Sequence, residues 1–142
     1  MAGQPTPIFP QTIVDATLAL VNGTGTTATL LATGGTNGTK LENLTFSSTD
    51  TAGHDIQIFK TISAANYLLG TVSVPAGAGN TSSVPSVNAL AGGSTTNIPG
   101  ICVDANGNNY IYLASGTTLL ISAVVAVTSG KTITAIASGG NY

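Results

Sequence analysis

The chain has 142 residues, the size of one ordinary domain. Charged residues are 6% of it, three Lys against five acidic side chains, where a soluble domain carries about 25%. Arg and Trp are absent, and there is one His (His54) and one Cys (Cys102). Three scattered lysines cannot build the basic patch that neutralises phosphates, so nucleic-acid binding is excluded. A single Cys excludes an internal disulfide and any zinc or iron–sulfur site built on cysteines. So few acid–base and nucleophilic groups point away from an enzyme and toward a structural or binding module.

Thr, Ser, Asn and Gly supply 64 of the residues, and Leu, Ile, Val and Phe another 36. That apolar share, about a quarter, lies above the roughly 20% below which chains tend to disorder, and the net charge is only −2. Thr and the branched aliphatics favour strands, because a branched Cβ fits a pleated sheet better than a helix surface. The opening residues lack a basic stretch followed by an apolar one, so no secretory leader is expected. The Asn-x-Ser/Thr matches at Asn22, Asn37, Asn43 and Asn80 are then chance matches in an Asn- and Thr-rich chain.

Residues 1–11 read as an extended arm. Pro5, Pro7 and Pro10 remove backbone donors and push their predecessors into extended conformations. Ile8 and Phe9 are the apolar anchors with which such an arm would dock on a neighbouring subunit; the competing reading is a frayed terminus. Residues 12–142 form a single domain of short strands. The expected strands are Ile13–Val21, Thr27–Thr33, Leu41–Ser47, Asp55–Ile62, Tyr67–Val74, Ile98–Val103, Tyr110–Ala114, Leu119–Val127 and Thr132–Ala137. Turn signals such as Asn22-Gly23, Gly34-Gly35, Asn106-Gly107 and Ser129-Gly130 separate most of them, a rhythm that marks a sandwich or barrel.

Residues 75–97 form a longer connection, in which Val84, Val87 and Leu90 predict one helical turn or an apolar clip. Asn106-Gly107 predicts a tight type I′ hairpin, since both residues tolerate positive φ. The last four strands are then expected to follow one another as an antiparallel meander or Greek key. Leu119–Val127 is the longest apolar stretch. At nine residues it falls short of the roughly 20 a membrane helix needs, so no membrane partner is expected. Leu120 and Val124 lie on the face opposite Leu119, Ile121, Ala123, Val125 and Val127. A strand apolar on both faces is buried on both, and this one is expected to meet another subunit.

Candidate chemistry is sparse. Asp104-Ala-Asn106-Gly107-Asn108 has some oxygen ligands of a calcium loop, but Gly falls at its fourth position and Ser115 at its twelfth, so a self-bonded turn is the better reading. His54 and Asp55 are neighbours, yet adjacent strand residues point to opposite faces, and His54 reads as an exposed loop residue. Cys102, between Ile101 and Val103, reads as a small buried hydrophobe. Tyr67, Tyr110, Tyr112 and Tyr142 could stack on sugars, and Tyr110 and Tyr112 share a strand face; packing at a subunit contact is the alternative. No catalytic residue, metal ligand or cofactor site is assigned.

LGTVSVPAGAGN from Leu69, the IPG at Ile98–Gly100, DANGNNYIYLASGTTLLIS from Asp104 and the closing TSGKTITAIASGGNY resemble the head decoration, or cement, proteins of tailed bacteriophages. The resemblance covers roughly Leu69–Tyr142. It implies a β-rich virion structural protein with no enzymatic activity, made in the host cytoplasm and placed on the outer surface of the capsid. The implied partners are the major capsid protein and other copies of itself, most simply as a homotrimer. The expected fold is an all-β sandwich, jelly-roll-like, with the arm at its amino terminus; an antibody-type sandwich is excluded by the missing Trp and second Cys. Ile8, Phe9, Tyr110, Tyr112, Leu120 and Val124 are the expected interface residues. The alternatives are a tail or fibre module, or a carbohydrate-binding adhesin domain using Tyr110 and Tyr112.

Overall fold

A computed structural model describes residues 9–91, 98 and 101–142. Ile8 and most of the expected arm therefore lie outside the described residues, as does the middle of the expected strand Ile98–Val103. Ten strands are present among the described residues: β1 Thr12–Val21, β2 Thr29–Thr33, β3 Thr39–Ser48, β4 His54–Ile62, β5 Ala65–Val74, β6 Val87–Asn88, β7 Cys102–Val103, β8 Asn109–Leu113, β9 Thr118–Ala123 and β10 Thr132–Asn141. No helix occurs among the described residues.

The strands build two antiparallel sheets. One has the order β1-β10-β3-β8-β7, with β6 pairing beside β8 on β3; the other has the order β2-β9-β4-β5. Only the hairpins β4–β5 and β7–β8 join strands that are consecutive in the chain. The other connections carry the chain across to the opposite sheet or to a distant place in its own. This interleaving is the jelly-roll arrangement of two sheets. The meander is overturned: β8 pairs with β3, β9 with β2 and β4, and β10 with β1 and β3. Alternation along a strand says which residues share a face, and it leaves open which strand lies alongside.

The core is the facing surfaces of the two sheets. Leu41, Leu44, Phe46, Leu113, Ile133, Ala135 and Ala137 from the first meet Ile56, Ile58, Val74, Leu119 and Ile121 from the second. The 75–91 connection closes one side as an apolar clip, with Ala78, Ala89 and Leu90 buried and Val84 and Val87 packed against the core. It contains no helical turn; Val87 and Asn88 form β6 and pair with β3.

Two expectations about strand ends are corrected. β9 stops at Ala123, where the chain bends. Val124 and Val125 are therefore exposed in the bend, and Val127 returns to the core. Leu120 does lie on the outer face of its sheet, but Val124 does not share that strand face with it. The β7–β8 turn is longer than type I′: Gly107 alone takes a positive φ (82°), while Asp104 accepts the Gly107 N–H and donates its own N–H to the Asn108 carbonyl.

Phe46 is the largest fully buried side chain. Phe46→Ala is expected to lower unfolding free energy by about 3–5 kcal/mol, the usual cost of a cavity that size. Equilibrium denaturation, followed by far-ultraviolet dichroism, measures it.

Candidate functional site

The residues most capable of recognition collect at one end of the first sheet. Tyr110 and Tyr112 point outward from β8 while Ile111 and Leu113 point into the core. The register sets Lys40 of β3 beside Tyr112. The carboxy terminus of β10 brings in Tyr142, the start of β1 brings in Gln11, and the β2–β3 loop brings in Asn37. Together with Asp104 these line a groove of about 790 Å³, within the range of roughly 300–1,000 Å³ that binding clefts usually occupy. Three of the four tyrosines stand in it; Tyr67 lies elsewhere, exposed on β5.

The groove is held by a fixed set of contacts. Thr39, fully buried, donates its hydroxyl to Asn141 Oδ1 and accepts the Gly35 N–H at 2.8 Å. Asn141 Nδ2 donates to Thr12 Oγ1, tying β10 to β1, and the Tyr142 N–H donates to the Gly38 carbonyl. Gly38 has φ +101°, and a Cβ placed there would stand 2.1 Å from the Tyr112 hydroxyl oxygen. The missing side chain at Gly38 is therefore the seat of the Tyr112 ring.

The charges of the groove are spent on one another. Lys40 Nζ lies 2.6 Å from Glu42, 3.9 Å from Asp104 and 4.8 Å from the centre of the Tyr110 ring. The Glu42 hydrogen bond raises the Lys40 pKa above its ordinary value. Asp104 accepts the backbone N–H groups of Asn108 and Asn106, both at 2.9 Å, and these hold its carboxyl below the usual range. This is the self-bonded turn read from the sequence. Among the described residues no group of three His, Cys, Asp or Glu is placed to hold a metal.

Cys102 is exposed rather than buried, because β7 is a two-residue edge strand. It sits opposite Tyr110, whose phenol is raised first by the Cys102 sulfur and then by burial.

His54 is also corrected: it is buried, and its partner is Asp50. Its Nε2 lies 2.9 Å from Asp50 Oδ2, with the two side chains 3% and 0% exposed. The carboxylate also accepts the Thr128 N–H at 2.8 Å and the Ala52 N–H at 3.2 Å. Since an ionised carboxylate only accepts, Nε2 donates to it, and Nδ1 is buried with no hydrogen-bond partner. A catalytic base needs a substrate within hydrogen-bond reach; this pair is closed off and acts as a latch between β3, β4 and the β9–β10 connection.

Two further expected interface residues, Phe9 and Leu120, are placed as follows. Phe9 is 75% exposed and stands two residues before the groove-lining Gln11. Leu120 belongs to a row missed by sequence reasoning. On the outer face of the second sheet, Leu30 faces Leu120, Leu120 faces Phe59, and Phe59 faces Leu68. These four apolar side chains cross all four strands. On one side of them runs the row Thr33, Thr118, Thr61 and Asn66, and on the other Gln57 and Thr71, in register with the buried Ser122. The available signal was a set of apolar doublets, Leu30-Leu31, Leu68-Leu69 and Leu119-Leu120, with Ile58-Phe59 as the fourth.

Compared with known protein families, curated proteins and solved structures, the chain matches none.

Two outcomes test these local structures. Gly38→Ala is expected to displace the Tyr112 ring and cost about 1 kcal/mol or more, since the left-handed backbone is strained for any Cβ; tyrosine fluorescence and denaturation report both. For Asp50, the folded carboxyl is depressed, chiefly by the Thr128 N–H. Its stabilisation is complete above the ordinary value of 3.8 and is lost as pH falls through the lower folded value. Thermal midpoints of the native chain should therefore fall below about pH 4, whereas Asp50→Asn should start lower and respond less to acid.

Proposed function

We propose that this chain is a structural virion protein that decorates an assembled phage capsid as a homotrimer and stabilises the shell by bridging capsomers. The observation that carries this reading is the nearly uncharged, apolar outer face of the second sheet. Leu30 and Leu68 at its two edges are 52% and 53% exposed, and Leu120 and Phe59 between them are half-buried. The row is flanked by hydroxyls and amides, and Asp55, near the start of β4, is the one charge on the strands' outward positions. A large apolar patch of this kind on a soluble chain marks a contact surface.

The occupant proposed for that face is a neighbouring copy. A trimer joins two different patches on each subunit, because its contacts are heterologous. The outer face of the first sheet is proposed as the second surface: Ile13 at 88% exposure, Ile136 and Val21 stand exposed along it, separated by Asp15, Thr17 and Ala19. The sparse charge agrees with this reading, since a free monomer ordinarily relies on net charge to stay dispersed. The sequence resemblance supplies the capsid as the site of assembly, and the arm, with Ile8 and Phe9, is proposed to engage the shell or the adjacent subunit. With only three lysines, attachment should vary little with salt.

The experiment is mass spectrometry of purified particles separated into heads and tails, with light scattering of the isolated protein. The chain is expected with heads and as a trimer in solution. Leu120→Asp is expected to yield folded monomers that no longer occupy shells. Recovery with tails alone, or an unchanged trimer in Leu120→Asp, would overturn the reading.

A further inference from the structure

We propose that the tyrosine groove at the end of the first sheet binds a neutral, hydroxyl-rich glycan. This is a binding function separate from assembly through the second sheet, and it rests on different residues.

Three features select that ligand class. The first is the platform. Tyr112 is 42% exposed, with its ring fixed over Gly38, and Tyr142 lines the same groove. Sugar rings carry patches of weakly positive C–H groups, which complement the negative face of an aromatic ring. Tyr110 plays a different part, because Lys40 already lies over its ring.

The second feature is charge. Lys40 is neutralised by Glu42 and Asp104, and Asp104 is committed to the backbone of its own turn. Among the described residues lining the two depressions, one cation stands against two carboxylates, which disfavours phosphate, sulfate or a carboxylate, and the nearby Lys60 donates to the Tyr112 backbone carbonyl at 3.0 Å. A ligand that fits therefore carries no negative charge, and the pairing of the site's own charges with one another favours a neutral one.

The third feature is the set of hydrogen-bonding groups around the platform. Gln11, Asn37 and Tyr142 line the groove, and their side-chain amides and hydroxyl are groups that can both donate and accept. A sugar hydroxyl has the same dual character, so donors and acceptors can be matched around one ring. The groove continues past Lys40, Asp104 and Tyr110 into a second depression of about 430 Å³ that Asn88, Asn108 and Asn109 also line. Its length suits an oligosaccharide better than a single sugar.

The test uses the full chain on an array of neutral, sialylated and sulfated glycans. Calorimetry with hexasaccharides of glucose, mannose and N-acetylglucosamine follows. Binding to neutral members is expected, and Tyr112→Ala and Tyr142→Ala should each weaken it at least about tenfold, equivalent to ~1.4 kcal/mol. Tyr67→Ala, an exposed tyrosine outside the groove, should bind as the native chain does, and dichroism checks that each variant folds. The proposal is overturned if no neutral glycan binds, if anionic glycans are preferred, or if Tyr67→Ala weakens binding as much as the groove variants. It is also overturned if a peptide of residues 1–10 binds the groove in a Tyr112-dependent way and no sugar does, for then the occupant is the chain's own arm.

Discussion

A carboxylate with no lysine or arginine beside it holds one end of this molecule together. Asp50 follows β3, is wholly buried, and takes hydrogen bonds from Thr128 on the β9–β10 connection, from Ala52 in its own loop and from His54 at the start of β4. Its backbone carbonyl accepts the Gly77 N–H, which ties in the clip beyond β5. Burying a charge is costly unless each acceptor site is matched, and here two matching groups are local while the third, the Thr128 N–H, comes from 78 residues further along the chain. The latch therefore forms only when both sheets are in place, and with so few charges in the chain it stands in for the ion pairs that other domains distribute over their surfaces.

The latch and the groove lie at opposite ends of β3. That strand has ten residues, a span of about 33 Å. Its carboxy-terminal end leads into Asp50, and its amino-terminal end carries Thr39 and Lys40, which organise the groove. The two sheet faces are specialised as well. The outer face of the second sheet is nearly free of charge and apolar across its middle, whereas the groove end of the first carries Lys40, Glu42 and Asp104. Under the proposed reading, this division would let one sheet serve assembly while the tyrosine groove stays open to a ligand.

Much of the fold was legible because strand alternation and turn residues are local signals. The strands from Ile13–Val21 to Tyr67–Val74 sit within a few residues of where the apolar pattern put them. The misread places are those where distant partners decide the outcome. Leu119–Val127 looked like one strand, but its pairing with β4 ends at Ala123, after which Val124 bonds to the Asp55 carbonyl across a bend. His54 looked exposed because Gly53 precedes it; what buries it is a carboxylate four residues earlier, brought round by the turn. Cys102 looked buried because its neighbours are apolar, but a two-residue edge strand leaves it open. Of the groove, Tyr110 and Tyr112 were readable as a pair, while Tyr142, Asn37 and Gln11 reach them only through the pairing of β10 with β1 and β3.

The apolar row on the second sheet shows how register makes a surface that periodicity alone does not display. Both edge strands carry a bulge at that level: Leu31 is the extra residue in β2, between Leu30 and Ala32, and Leu69 the extra residue in β5, between Leu68 and Gly70. A bulge shifts the phase of every side chain beyond it. Leu31 is buried and Leu69 packs against the core, so each doublet places one leucine inside and leaves the other on the outer row. Without the extra residue, the strand beyond each doublet would reverse its faces, sending core residues such as Val72 and Val74 outward. The bulges let the edge strands keep their core contacts while Leu30 and Leu68 stay level with Leu120 and Phe59. A bulge also twists an edge strand out of line for pairing with a second sheet. The same two insertions thus complete the apolar face and discourage edge-to-edge association, leaving the face itself as the surface proposed to meet a neighbour.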